Sequence, residues 1–213
     1  IVPTGGWGFH WGNGPAWDSV LVYLPYYVYV YRGDQSIVQE NAHAMLRYLH
    51  YLTTRLNEQG LIRIGLGDWC QAGRDSDKFI SPLEFTDTVL SMDIAQKSAY
   101  LLEVIGDLLS AQYAHALARK LKDAVREQLI DFSTMTAAGC CQTSQAMALY
   151  YGVFEAGERP AAFARLLELI EQQDGHLDVG VLGGRVLFHV LTEFGRSDLA
   201  YTMITRGDFP SYG

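Results

Sequence analysis

The stretch WDSVLVYLPYYVYVY, Trp17 to Tyr31, decides how this chain is read. Its valines and tyrosines favour a pleated strand on propensity alone. Yet it is long for a strand, alternates poorly and carries Pro25 where a ladder donor would be needed. A helix buried on nearly all sides is the competing reading. We adopt the helix, and with it an all-α chain.

Working outward, the segment ends in the turn Arg32-Gly33-Asp34, one of four short turns centred on glycine. The others are Ile105-Gly106-Asp107, Ala156-Gly157-Glu158 and Phe194-Gly195-Arg196. Apolar or amphipathic stretches flank each turn. From Ser36 to Gln59, Met45, Tyr48, Leu49, Leu52 and Leu56 keep the spacing of one helix face, with Gly60 placed as a C-cap. Ser81-Pro82-Leu83-Glu84 opens the next helix with a capping box and an early proline. Asp107 caps its partner, and further hairpins are expected from Gln142 to Phe154 with Pro160 to Gln172, and from Gly184 to Phe194 with Ser197 to Thr205. The first helix of each pair is the more apolar; the second holds most of the Lys, Arg and Glu. That contrast predicts a ring of hairpins with inner and outer helices. The turn glycines, at 33, 106, 157 and 195, are too irregularly spaced for a solenoid of equal repeats.

With 213 residues, 49% apolar and 19% charged, the chain is expected to form a single folded domain over residues 1–213. A formal charge of −8 argues against nucleic acid and against an anionic membrane surface. The run from Val20 to Tyr31 is too short to span a bilayer. Cys70, Cys140 and Cys141 imply no disulfide framework. His43 and His50 read as an outer-face pair, so neither a metal nor a cofactor is expected. The first residue is Ile, which suggests a piece of a longer polypeptide.

The longer connections carry the chemistry, since binding residues concentrate on long loops held by a rigid scaffold. Two clusters stand out: Gly6 to Asp18, with Trp7, Trp11 and Trp17, and Gly65-Leu66-Gly67-Asp68-Trp69. Trp17 and Trp69 each lie beside a carboxylate, Asp18 and Asp68. An indole face packs against sugar C–H groups while a carboxylate accepts hydroxyl hydrogens. Ordinary loop packing of both tryptophans is the alternative. Asp75, Asp77, Asp174 and Asp178 are further loop acids, and His176 and His189 read as packing or hydrogen-bonding residues. No pair of carboxylates is marked out as the two that glycoside hydrolysis needs.

The ordered set of motifs resembles the catalytic domain of bacterial α-L-rhamnosidases, glycoside hydrolase family 78. The N-terminal half contributes Gly14-Pro15-Ala16-Trp17-Asp18, Leu24-Pro25, Tyr31-Arg32-Gly33-Asp34, Gly67-Asp68-Trp69, Ser81-Pro82 and Phe85-Thr86-Asp87-Thr88. The C-terminal half adds Gln145 to Leu149, His176-Leu177 through Gly180 and Gly183, Gly195 to Tyr201, and Phe209-Pro210-Ser211-Tyr212-Gly213. The resemblance implies an (α/α)6 barrel, a six-hairpin toroid, of which this chain holds about four hairpins. It implies inverting hydrolysis of terminal α-L-rhamnosides, with rhamnose-containing glycosides and the remainder of the parent polypeptide as partners. Trp17 and Trp69 correspond to tryptophans lining the rhamnose subsite, with Asp18 and Asp68 as polar neighbours. The family's general acid belongs to a signature ending Gly-Trp-x-Gly-Asp, which does not precede Trp17. Its general base follows a Pro-Ser-Trp-Gly-like motif, here Pro210 to Gly213. No catalytic residue is therefore assigned within these residues, and the piece alone is expected to be inactive. Two other readings stand beside this one: a toroid enzyme acting on another sugar, or a helical-repeat interaction module without catalysis.

Overall fold

A computed structural model describes residues 14–75 and 78–211. The described residues fold into helices α1 (Pro15–Asp18), α2 (Val20–Arg32), α3 (Ser36–Thr53), α4 (Leu83–Val104) and α5 (Leu108–Leu129), followed by β1 (Ile130–Asp131) and β2 (Thr136–Ala137). After them come α6 (Gln142–Tyr150), α7 (Arg159–Glu171), α8 (Val181–Glu193) and α9 (Ser197–Ile204). The helices succeed one another as the four hairpins α2–α3, α4–α5, α6–α7 and α8–α9, the all-α hairpin architecture expected. The described residues group into two compact units, one up to Leu66 with Asp87–Val125, the other Gly67–Thr86 with the residues from Arg126 onward.

In the first unit, the Val/Tyr-rich segment is helical, as adopted. Gly33 ends α2 in the left-handed region (φ 68°), donating to Tyr29 O at 2.7 Å, and the Asp34 carboxylate takes the Ser36 amide at 2.9 Å to start α3. The burial expected of α2 is not found. Only Val22, Tyr23 and Pro25 are buried, while Leu24, Tyr27, Val30 and Tyr31 are exposed. The buried edge joins α4: Tyr23 donates its hydroxyl to Asp93 at 2.5 Å, and Lys97 pairs with the other oxygen of Asp93 at 2.5 Å. Lys97 also lies over the Tyr23 and Tyr26 rings. Along α4 every residue from Phe85 to Ala95 is buried, as an inner helix requires. Asp107 caps α5 through Ser110 N at 3.2 Å. The amphipathic helices α3 and α5 meet through Thr53 and Tyr113, whose hydroxyls are 2.8 Å apart.

Helix α3 stops at Thr53, short of its expected end. Beyond it Leu56 bridges Ile62, and the Asn57 side chain accepts the amides of Gln59 and Leu61. Gly60 is left-handed (φ 77°) as expected, but it closes this turn rather than capping the helix.

In the second unit, α6 is buried from Gln142 to Leu149 and packs against both α7 and α8. The turn after α6 is made by Gly152 (φ 72°), and Gly157 has no left-handed backbone. Helix α8 starts three residues before Gly184, because its first amides find an acceptor far away in sequence. The hydroxyl of Ser81 meets Ser144 at 2.7 Å, not the helix that follows it. The strands β1 and β2 pair Ile130 with Ala137 and Asp131 with Thr136.

Candidate functional site: two tryptophan–aspartate loops

The four expected sugar contacts fall two in each unit. In the first, Gly14 O accepts the amides of Trp17 and Asp18, closing the one-turn helix α1. Gly14 lies so close to Gly65 that a Cβ on it would stand 2.4 Å from the Gly65 Cα. Gly65 is itself pinned, since its amide and that of Ile64 donate to the Asp87 carboxylate at 2.7 and 2.8 Å. The turn bearing Trp17 is thus built backbone to backbone against Ile64 and Gly65. Trp17 is half-buried. Asp18 is buried, with Oδ2 accepting the Tyr48 hydroxyl at 3.1 Å. Its Oδ1 has no hydrogen-bond partner among the described residues. Burial pushes the Asp18 carboxyl above its ordinary range, and the Tyr48 hydrogen bond only partly opposes this. Burial and the neighbouring Asp18 push the Tyr48 phenol upward, keeping it a donor.

In the second unit, Asp68 is fully buried. One oxygen accepts the Thr143 hydroxyl and the Gly180 amide (2.7 Å); the other accepts Leu182 N (2.8 Å) and Gly183 N (3.0 Å). These amides belong to the start of α8, where a carboxylate both satisfies orphan donors and complements the helix dipole. Val181 N, the remaining amide of that turn, donates to Trp69 O at 2.9 Å. A Cβ on Gly180 would stand 2.2 Å from Asp68 O and 2.5 Å from Trp69 O, so only glycine permits the approach. Gly67 turns the chain at φ 68°. Asp68 therefore fastens its loop to α8 and gives both its oxygens to the protein. Trp69 beside it stays half-buried.

Three glutamines that the sequence reading passed over complete this framework. Gln71 accepts Ile80 N at 2.9 Å and donates to the Asp178 carboxylate at 2.6 Å. Gln142 donates to His176 O and accepts Asp178 N. Gln145 accepts Ala137 N and donates to Met135 O and Ala162 O, tying the strand pair to α7. Glutamines at 142 and 145, on a helix without a charged residue, are the signal available in sequence. Burial likewise raises the Cys141 thiol pKa.

Asp178 is thus consumed in the framework, and Asp75 pairs with Lys78 at 2.6 Å. His176 Nδ1 donates to Pro210 O at 3.1 Å, and its Nε2 lies 3.3 Å from Asp208. His189 packs against the Tyr150 ring. Asp77, Trp7, Trp11, Tyr212 and Gly213 lie outside the described residues. Among the described residues no group of three or more His, Cys, Asp or Glu could hold a metal ion, and no helix is long and apolar enough to cross a membrane.

Two cavities open in the second unit. The larger, about 860 Å³, lies between the strand pair and α7, beside Asp131, Thr136 and Arg165. The smaller, about 340 Å³, lies between Cys70–Ala72 and the start of α8.

The family described as bacterial alpha-L-rhamnosidase 6 hairpin glycosidase domain matches residues 1–213. An alpha-L-rhamnosidase of Formosa agariphila is 29% identical over 212 residues, covering 92% of this chain and 21% of the relative. One of Streptomyces avermitilis is 31% identical over 208 residues, covering 95% of this chain and 19% of the relative. The chain thus spans about one fifth of the length of these relatives. Among solved structures, Streptomyces avermitilis alpha-L-rhamnosidase complexed with L-rhamnose superposes with a TM-score of 0.83 at 26% identity, covering 99% of this chain and 19% of that one. The Dictyoglumus thermophilum alpha-L-rhamnosidase superposes with a TM-score of 0.85 at 25% identity, covering 97% of this chain and 24% of that one. With that family matched along residues 1–213, the chain belongs to the bacterial α-L-rhamnosidase six-hairpin glycosidase family.

Proposed function

We propose that the polypeptide containing these residues hydrolyses terminal α-L-rhamnosides with inversion, and that this chain supplies sugar-binding loops rather than the reacting carboxylates. The observation that carries the reading is the family match along all 213 residues. In the inverting reaction an acid protonates the glycosidic oxygen while a base draws a proton from water attacking the opposite face of the sugar ring. Asp68 is a poor candidate for either task, because both its oxygens are already occupied by donors from Thr143 and α8. The acid and base are assigned to the rest of the parent polypeptide. Following the family resemblance, Trp17 and Trp69 are each assigned as an apolar surface for sugar. Asp18, a buried carboxylate whose Oδ1 accepts no hydrogen bond from the described residues, is its polar neighbour, and Asp68 positions Trp69 without touching the sugar.

The test compares the parent polypeptide with its Trp69→Ala form on an aryl α-L-rhamnoside. Stacking beyond buried area is worth about 0.5–1.5 kcal/mol, or roughly 2- to 13-fold in affinity. A KM raised within that range, with Tm unchanged, supports the reading. An unchanged KM returns Trp69 to loop packing, and turnover by the 213-residue piece alone would place the acid and base within it.

A further inference from the structure

We propose that Tyr48 of α3 is a positioning residue for sugar binding: its hydroxyl, acting through the Asp18 carboxylate, sets the orientation in which Trp17 is presented. This rests on the hydrolase reading above and on Trp17 as a surface for sugar.

The need for such a residue follows from α1 itself. It is a single turn of four residues, and a helix so short has no stability of its own in water. No side chain caps its start. Its place is therefore set by what grips it from outside. One grip is the backbone contact of Gly14 with Ile64 and Gly65, whose amides are pinned in turn by Asp87. That contact fixes where the turn begins and leaves it free to rotate about its axis. Cα atoms stand only about 2.3 Å from a helix axis. An indole ring reaches well beyond them, so a small rotation moves the Trp17 ring further than it moves the backbone.

Asp18 supplies the second grip. Its side chain leaves the turn one position after Trp17, and Oδ2 accepts the Tyr48 hydroxyl at 3.1 Å. Tyr48 cannot follow a moving turn. It sits on the face of α3 that buries Met45, Leu49 and Leu52, and its ring stacks on Tyr51 with centroids 5.9 Å apart. Burial, with Asp18 and Asp87 nearby, pushes the phenol pKa upward, so the hydroxyl keeps its proton to donate. Tyr48 is only 5% exposed and has no surface to offer a ligand, so any effect on binding passes through Asp18.

The carboxylate also supplies the force that would turn α1. Asp18 is buried, and its Oδ1 accepts no hydrogen bond from the described residues. Without the Tyr48 hydroxyl, neither oxygen would be paired with a described side chain. A buried charge left so is strongly unfavourable. The turn would shift to bring the carboxylate to water, and Trp17 would shift with it.

The parent polypeptide is assayed on an aryl α-L-rhamnoside as wild type, as Trp17→Ala, Tyr48→Phe and Asp18→Ala, and as the Asp18→Ala, Tyr48→Phe double variant. Trp17→Ala sets the scale, since losing the stacking outright should raise KM roughly 2- to 13-fold. Tyr48→Phe should raise KM by at least about 2-fold and no further than Trp17→Ala does, because a misplaced ring loses at most its own contact. Its kcat should stay as it was. A variant that is merely less stable would instead lose kcat with its folded fraction and keep KM. On top of Asp18→Ala, Tyr48→Phe should change KM no further, as the bond is already gone. Should Tyr48→Phe not accumulate as folded protein, Asp18→Asn decides: its amide oxygen still accepts the phenol hydrogen, so its KM should lie below that of Asp18→Ala. An unchanged KM in Tyr48→Phe beside a raised one in Trp17→Ala would overturn the proposal. So would additive effects of Asp18→Ala and Tyr48→Phe, or equal KM in the Asn and Ala forms. A wild-type parent without turnover on any rhamnoside would overturn the hydrolase reading, and an unchanged KM in Trp17→Ala the assignment of Trp17, each taking this inference with it.

Discussion

Replacing Asp68 tests the framework most directly. Asp68→Ala strips an acceptor from the amides of Gly180, Leu182 and Gly183 and from the Thr143 hydroxyl, all in a fully buried setting. The hydroxyl can rotate to another acceptor, but the three amides cannot. Each buried donor left unpaired costs about 1–3 kcal/mol, so the loss is at least about 3 kcal/mol. Asp68→Asn keeps one carbonyl oxygen for Leu182 and Gly183 and orphans chiefly Gly180 N, a cost of about 1–3 kcal/mol. Hydrogen exchange of the α8 amides in the parent protein reads this locally. A loss of about 3 kcal/mol accelerates exchange roughly 10²-fold. The expected order is Ala fastest, Asn intermediate, wild type slowest, with α3 amides unaffected. Unchanged exchange at Leu182 and Gly183 in the Ala variant would refute the assignment of Asp68 as the anchor of this loop.

Four other outcomes are expected. Gly180→Ala drives a methyl into the Asp68 and Trp69 carbonyls and should destabilise by about 1–3 kcal/mol in thermal unfolding, as overpacking does. Gln145→Leu loses bonds to Ala137, Met135 and Ala162, and should release the β1–β2 pair to proteolysis before the helices. The Arg206 guanidinium holds the Asp208 carboxyl down at about 2, so this pair's contribution is full above the ordinary carboxylate range and fades as pH falls towards 2. Arg206→Gln should move the Asp208 titration upward, as followed by NMR. Exposed Leu24, Tyr27 and Tyr31 should make the isolated 213-residue piece self-associate, and Leu24→Lys with Tyr31→Lys should lower its sedimentation coefficient.

What could be read in the sequence was what neighbours in sequence determine. Gly33, Gly106 and Gly195 turn the chain as expected, and Asp107 caps α5, because each acts within a few residues. The helical state of Val20–Arg32 was legible from Pro25 and length despite its propensity. Its exposure was not, since burial depends on what packs against a helix. Gly60 was misassigned because a helix cap and a tight turn both want a left-handed glycine. The start of α8 was placed too late because Gly183 and Gly184 look like breakers, whereas Asp68 caps that end from more than 100 residues away. The same distance hid the role of Asp68. Beside Trp69 it resembles a sugar ligand, and nothing local marks Thr143 or Gly180 as its partners. The glutamine framework, made of long-range side-chain bonds, left only two unexplained amides on α6.

The Asp68 clasp also bears on how the chain assembles. Its partners at Thr143, Gly180 and Leu182 lie 75, 112 and 114 residues along the chain, while the Gly65–Asp87 bond closes a loop of only 22. Closing the longer loops costs about 1.4 kcal/mol more in chain entropy, and none of that is recovered until α6 and α8 are in place to receive the carboxylate. The chain from Gly67 to Ala72 therefore orders late, after the helices it joins, and synthesis must pass residue 183 before its permanent partners exist. Until then a buried-type carboxylate and a tryptophan remain in water. A nascent chain paused before that point should show Trp69 as accessible to quencher, and the emergence of α8 should close it off.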